Sequence, residues 1–321
     1  MVTDAHRNRP MRFGIATALP RPSAQMRDFA RSVEAAGFDV MSFPDHLVPL
    51  AAPIAGATAA GVATERLTVG TLVLNNDFRH PVDTARECAT ITTVTDGRFE
   101  LGLGAGHMKS EYDAAGIPFE RGGVRVSRLV ESAHIIRGLL DGEAVHVDGA
   151  HYRVHAEAGS LIAPPPSHVP MLIGGNGTRV LQLAGQLADI AGFAGITHNR
   201  DATQVRLTHF DPQGLEDRIA VVRDAAGDRF DQIELNALIQ AVVCTADRAA
   251  AAAELAATLD ADADALLDSP FILLGTHEQM AEMLAERQRR FGISYWTVFD
   301  EIPGRPSAMP DIARVIALLR R

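Results

Sequence analysis

The sequence predicts an α/β fold, specifically a (β/α)8 TIM barrel with insertions. Three observations predict it. Strand-like and helix-forming segments alternate along the chain, giving eight strand candidates, each followed by a helix. The segment Leu67 to Leu74 is apolar enough to be a parallel strand buried on both faces. The turn after the first strand, Ala18-Leu19-Pro20-Arg21-Pro22, has no glycine, so the fingerprint of an open dinucleotide-binding sheet is missing. A barrel of this kind needs roughly 250 residues, so the 321 present leave room for insertions within one domain.

The elements follow in order. Residues 1–11 are polar, without an apolar signal core, and read as a flexible leader; 12–321 then form the single barrel domain. Arg12 to Ala18 is the first strand. Ser23 caps a helix whose apolar residues Met26, Phe29, Val33 and Ala36 recur at helical spacing until Gly37 stops it. Val40 to Phe43 is the second strand, and an Ala-rich helix over Ala52 to Ala63 leads to the third at Leu67 to Leu74. Pro81 opens a helix to Val94, Arg98 to Leu103 is the fourth strand, and a helix follows over Val124 to Leu140. Asp148-Gly149 is a hairpin turn between two short strand-like runs, so 144–155 is read as a β-hairpin insertion. Pro170 to Ile173, Ile190 to Phe193, Ile233 to Val243 and Ser294 to Phe299 complete the strands, with helices from Arg179, Leu215, Asp247 and Ile312. The acidic run Asp260 to Asp268 reads as a solvated loop.

Composition narrows the function. Thirty basic against forty acidic residues give a formal charge of −10, which argues against a nucleic-acid footprint and against an anionic membrane surface. Nothing approaches the run of about eighteen apolar residues that a membrane span needs. A cytoplasmic protein is expected. Cys88 and Cys244 lie far apart, without zinc-finger spacing, and read as two buried reduced thiols; no metal is expected. His80, His107 and His134 show no metal spacing, and the remaining histidines read as surface residues.

In a barrel the chemistry collects where strands end and loops begin. Asp45-His46 follows Pro44 and either shuttles a proton or satisfies backbone groups at a strand end. Asn75-Asn76-Asp77 is a polar run that can also be a turn capping the helix at Pro81. Gly102, Gly104 and Gly106 are spaced either for turn geometry or for close approach of a planar ligand. Gly174-Gly175-Asn176-Gly177-Thr178 opens a helix, where free amides suit a phosphate; a tight turn is the plainer reading. Gly275-Thr276 is read as a helix cap rather than a second anion site. No Gly-x-Ser-x-Gly elbow and no His-Glu-x-x-His occurs, so hydrolase and zinc-protease chemistry is disfavoured.

Taken together, Phe43-Pro44-Asp45-His46-Leu47, the stretch from Leu67 to Pro81, Gly97 to Gly106, Glu111 to Phe119, Val145 to Tyr152, Met171 to Gly175 and Phe271 to Thr276 resemble the bacterial luciferase-like flavin and deazaflavin oxidoreductases. The likeness runs from about residue 12 to 320 and is greatest to the actinobacterial branch assigned to the deazaflavin coenzyme F420. The resemblance implies a non-proline cis peptide at Leu72–Val73, whose bulge backs the central ring of the cofactor. It implies that Asn75, Gly104, Ala105, Gly106 and Ser110 lie near that ring, and that Gly174 to Thr178 hold the phosphate. His46 is then the proton donor or acceptor, Asp45 its orienting partner, and His107 a second candidate. The expected reaction is F420-dependent hydride exchange with a small organic molecule. An FMN-dependent monooxygenase fed by a separate reductase is the alternative, and a non-catalytic cofactor-binding protein the second. A homodimer is expected. F420-dependent glucose-6-phosphate dehydrogenases carry a tryptophan and a glutamate where this chain has Leu50 and His107, which puts a sugar-phosphate substrate in doubt.

Overall fold

The computed structural model describes residues 2–199, 204–259, 261–300 and 306–320. Eight parallel strands close on themselves in chain order: β1 (Arg12–Ala16), β2 (Val40–Phe43), β3 (Thr68–Thr71), β4 (Phe99–Gly104), β5 (Met171–Gly174), β6 (Ile190–Phe193), β7 (Glu234–Ile239) and β8 (Tyr295–Phe299). The seam is the β3–β4 pairing, Val69 opposite Phe99 and Gly70 opposite Glu100. β2, β4 and β6 are buried at every position, as strands covered on both faces must be. Helices such as Ser23–Ala35, Pro81–Val94 and Gly122–Leu140 pack around the ring. Among the described residues, no helix is long and apolar enough to cross a membrane.

Punctuation explains the boundaries. Pro53 and Pro81 sit in the first turn of their helices, where a missing N–H costs nothing. Gly102 is forced by close approach: a Cβ there would fall on the Thr71 carbonyl oxygen. The hairpin pairs Val145 with Ala156 through to Asp148 with Arg153, and Glu131 accepts the N–H groups of Ala150, His151 and Tyr152 at its turn.

Several expectations are corrected. The N-terminal segment contains a helix, Asp4–Asn8, rather than a flexible leader. His6 of that helix is completely buried. It donates from Nε2 to the Ile233 carbonyl at 3.1 Å and packs on Phe230, so it is no surface histidine. The acidic run becomes the helix Ala263–Asp268, capped by the Asp262 carboxylate and anchored by buried Leu266; Asp260 lies outside the described residues. The long seventh strand breaks at Gln240, whose N–H donates to Phe271 O. Beyond the break Ala241–Cys244 pairs with Ile272–Gly275 in a separate two-stranded sheet. Cys88 is buried but Cys244 is exposed. Ile196–His198 and Val205–Leu207 also pair antiparallel, outside the strands expected from the sequence.

Candidate active site

The C-terminal ends of β2, β3, β4 and β5 gather the polar residues singled out in the sequence. At the end of β2 the chain turns at Pro44, and Asp45 and His46 diverge. Asp45 is buried and accepts the Asn75 N–H at 3.0 Å, while the Arg79 guanidinium pairs with the same oxygen. It therefore fastens the next loop and does not orient His46. That role falls to Glu111. Its Oε1 lies 2.6 Å from His46 Nδ1, and its Oε2 accepts the Leu47 N–H at 2.7 Å. The adjacent-dyad reading is thus corrected to a His46–Glu111 pair. Neighbours along an extended chain point to opposite sides, so sequence adjacency works against a dyad.

Glu111 is almost fully buried, whereas the His46 side chain is about a quarter exposed, at 24%. A carboxylate accepts only, so Nδ1 carries the proton and Nε2 is left to exchange one. The His107 ring stands edge-on to His46, 5.2 Å between centroids and 84° between planes, so it is no isolated loop residue.

The Leu72–Val73 peptide is cis. Both side chains pack into the barrel against Val40, Leu172, Ile190 and Tyr295. Beyond the bulge, Asn75 Oδ1 accepts the Tyr112 hydroxyl at 2.9 Å and the Asp77 N–H at 3.1 Å. Asp77 in turn pairs with Arg128 at 2.8 Å. Burial, reinforced by the Asp77 carboxylate, pushes the Tyr112 phenol well above its usual range, so it remains a neutral donor.

The glycines after β4 serve this bulge. A Cβ on Gly104 would come within 2.7 Å of Val73 Cγ2. Gly106 has φ +73°, and a Cβ there would run into the Tyr112 hydroxyl and the Asn75 amide. The Ala105 and Gly106 carbonyls accept from Arg125. Ser110 is exposed on the first turn of the helix Lys109–Ala115.

The end of β5 lies alongside: a Cβ on Gly104 would be 3.9 Å from Gly174 O. The helix Thr178–Leu187 starts there with no side-chain cap on its N-terminal amides. Arg218 reaches Thr178 Oγ1 at 3.4 Å and Asn176 O at 3.5 Å, while Arg179 lies exposed on the first turn. The Asn176 amide is engaged elsewhere, donating to Ile196 O at 2.7 Å. Gly177 is exposed and a Cβ on it would meet nothing within 4 Å, so the cradle is open. Uncapped amides flanked by guanidinium groups suit a phosphate. By contrast Gly275-Thr276 forms a complete capping box with Gln279, as the cap reading expects.

A family model described as luciferase-like monooxygenase matches residues 9–267. The chain belongs to the luciferase-like monooxygenase family. The F420-dependent glucose-6-phosphate dehydrogenase of Nakamurella multipartita is 32% identical over 234 residues, covering 70% of this chain and 66% of that protein. The 5,10-methylenetetrahydromethanopterin reductase of Archaeoglobus fulgidus is 30% identical over 179 residues, covering 56% and 52%. An F420-dependent secondary alcohol dehydrogenase, solved with an F420-acetone adduct, matches with a TM-score of 0.76 at 20% identity. It covers 97% of this chain and 100% of that one, a likeness of fold. The chain spans 48% to 66% of the length of the first curated relatives it matches.

Within this luciferase-like barrel, sequence reasoning missed the role of Glu111 and the partners Arg79, Tyr112 and Arg128. Glu111 is 65 residues from His46, and only its burial within an otherwise polar helix turn marks it.

Proposed function

We propose that the chain is an F420-dependent oxidoreductase that passes a hydride between the deazaflavin and a small organic substrate. The observation that carries this is a partly buried imidazole fixed by a buried carboxylate, at the same end of the barrel as an open, uncapped helix start. Curated relatives of two different activities support F420: one is named for that coenzyme, and the other activity recurs in a solved coenzyme F420 dependent tetrahydromethanopterin reductase.

The residues present fit such a cofactor. The amides at Gly177, Thr178 and Arg179 would hold its phosphate, and the Leu72–Val73 bulge would back its ring, with Asn75 and the Gly104–Ala105–Gly106 turn alongside. When bound, the deazaflavin supplies or takes up a hydride. The chain's own task is then to seat it, exclude water and manage the accompanying proton. His46 Nε2 gives or takes that proton while Glu111 holds Nδ1; His107 stands at the edge of the same ring. Asp45 keeps the role of bracing the bulge. Leu50 and His107, where sugar-phosphate enzymes carry tryptophan and glutamate, direct the proposal to a substrate other than glucose 6-phosphate.

The chain is proposed to act in the cytoplasm as a homodimer. The small-residue helix Pro53–Ala63, with Val62 exposed, offers a contact face. The second reading, an FMN-dependent monooxygenase with a separate reductase, draws on solved monooxygenases of the same fold. Titrating the purified chain with F420 and with FMN, followed by fluorescence, separates the two. F420 is expected to bind at least tenfold tighter, about 1.4 kcal/mol; equal or reversed affinities favour the monooxygenase.

A further inference from the structure

Outside the site just described, three chain segments bring a thiol, an imidazole and a carboxylate to one point. Cys244 ends the strand Ala241–Cys244, His277 begins the helix His277–Phe291, and Asp311 lies in the first turn of Met309–Leu319. Cys244 Sγ is 3.4 Å from His277 Nε2, and Asp311 Oδ1 is 2.9 Å from the same nitrogen. One donor atom from each residue lies within 4.8 Å of the others.

A nucleophilic triad needs the carboxylate on one ring nitrogen and the thiol on the other. Here both meet Nε2, so the imidazole cannot relay a proton between them. A metal centre requires the opposite arrangement, three donor atoms facing one point. Tetrahedral zinc, with bonds of about 2.3 Å to sulfur and 2.0–2.2 Å to nitrogen and oxygen, sets its ligand atoms roughly 3.4–3.6 Å apart. The sulfur–nitrogen spacing already matches, and the carboxylate needs to retreat by about half an ångström on that geometry.

We propose that Cys244, His277 and Asp311 form a binding site for a divalent d-block cation, zinc first, with a fourth position open to water. The mixed sulfur, nitrogen and oxygen donors select zinc over magnesium or calcium, which prefer oxygen alone. Cys244 is exposed, so a cation has a path in. Glu278 adds negative charge nearby and Arg314 opposes it. A thiol binds such an ion as the thiolate, so binding displaces a proton. The ion would tie the last helix to the excursion between β7 and β8, independently of the proposed cofactor site.

The test uses the full chain, stripped with chelator and titrated with Co2+ and then Zn2+. One equivalent is expected to bind, with a near-ultraviolet thiolate-to-cobalt band that zinc abolishes. Cys244→Ser should remove the band, and Asp311→Asn and His277→Gln should each weaken zinc by at least about tenfold. Cys88→Ser should change nothing, because that thiol is buried. Absence of stoichiometric binding, or a band that survives Cys244→Ser, overturns the proposal. Circular dichroism of each variant distinguishes lost ligands from lost fold.

Discussion

Glu100 and Glu111 are buried carboxylates eleven positions apart in sequence, yet they serve opposite ends of the barrel. Glu100 lies near the start of β4 on the closed face. It accepts the Tyr295 hydroxyl at 2.6 Å and faces Arg12 at 3.2 Å, while Arg12 also binds Glu234 at 2.7 Å. Burial outweighs Arg12 and pushes the Glu100 carboxyl above its usual range. Tyr295 is fully buried, and the partly exposed Arg12 guanidinium cannot exchange a proton near neutral pH. Glu111, at the mouth, grips one nitrogen of a partly exposed histidine and leaves the other unengaged by it. The lesson is that burial alone does not mark a functional acid; what matters is whether its partner retains an unused proton-exchanging atom.

The largest effect that sharpens this contrast belongs to the mouth. His46→Ala is expected to lower turnover by roughly a hundredfold or more while leaving F420 affinity within a few-fold. Glu111→Gln should follow it, with a loss of at least about tenfold on the same reasoning. Steady-state kinetics with an identified hydride acceptor check both. Normal turnover in His46→Ala with an inactive His107→Ala would transfer the proton role to His107.

The phosphate cradle comes next. Gly177→Val adds bulk where a Cβ meets nothing within 4 Å, so the fold should persist. F420 affinity should still drop at least about tenfold. Gly175→Val is the poorer probe, because a Cβ there is already 3.0 Å from Val180 Cγ1. Unchanged binding in a folded Gly177→Val protein places the phosphate elsewhere.

At the closed face, Glu100→Gln keeps an acceptor for Tyr295 but weakens the hold on Arg12. Denaturant unfolding should show a loss of no more than about 3 kcal/mol, without change in turnover. A large kinetic defect would erase the distinction between the two ends.

The smallest effect concerns the N-terminal helix. Burial lowers the His6 pKa below 6.5. The unfolded chain therefore takes up a proton that the folded protein refuses. Stability is full above pH about 6.5 and falls as pH drops through the lowered value. Thermal midpoints between pH 7.5 and 5 should slope less in His6→Gln, and an unaltered slope would assign the acid sensitivity to another group.

Much of the barrel was legible because local chemistry and fold agree. Pro53, Pro81 and Gly37 mark helix ends, and the apolar runs at Val40 and Ile190 mark strands buried on both sides. What was not legible depends on distant partners. The helix Asp4–Asn8 is too short to show periodicity, and it is held by Ile233 and Phe230, more than two hundred residues away. Ala263–Asp268 was hidden by its acidic composition, although Asp262 is a good cap. At the site, Asp45 attracted attention by adjacency, whereas Arg79 and Glu111 were invisible until the loops after β3 and β4 met the loop after β2. The spacing of the glycines at the end of β4 left turn geometry and ligand approach open; at Gly104 and Gly106 the space a Cβ would need is filled by Val73, Tyr112 and Asn75 of the chain itself.

The pairing of His46 with Glu111 rather than Asp45 can be measured without any substrate, from the nitrogen-15 chemical shifts of the His46 ring in the wild-type chain, Glu111→Gln and Asp45→Asn. The account predicts a proton held on Nδ1, its signature lost in Glu111→Gln and retained in Asp45→Asn. A ring unaffected by Glu111→Gln but altered by Asp45→Asn would contradict it.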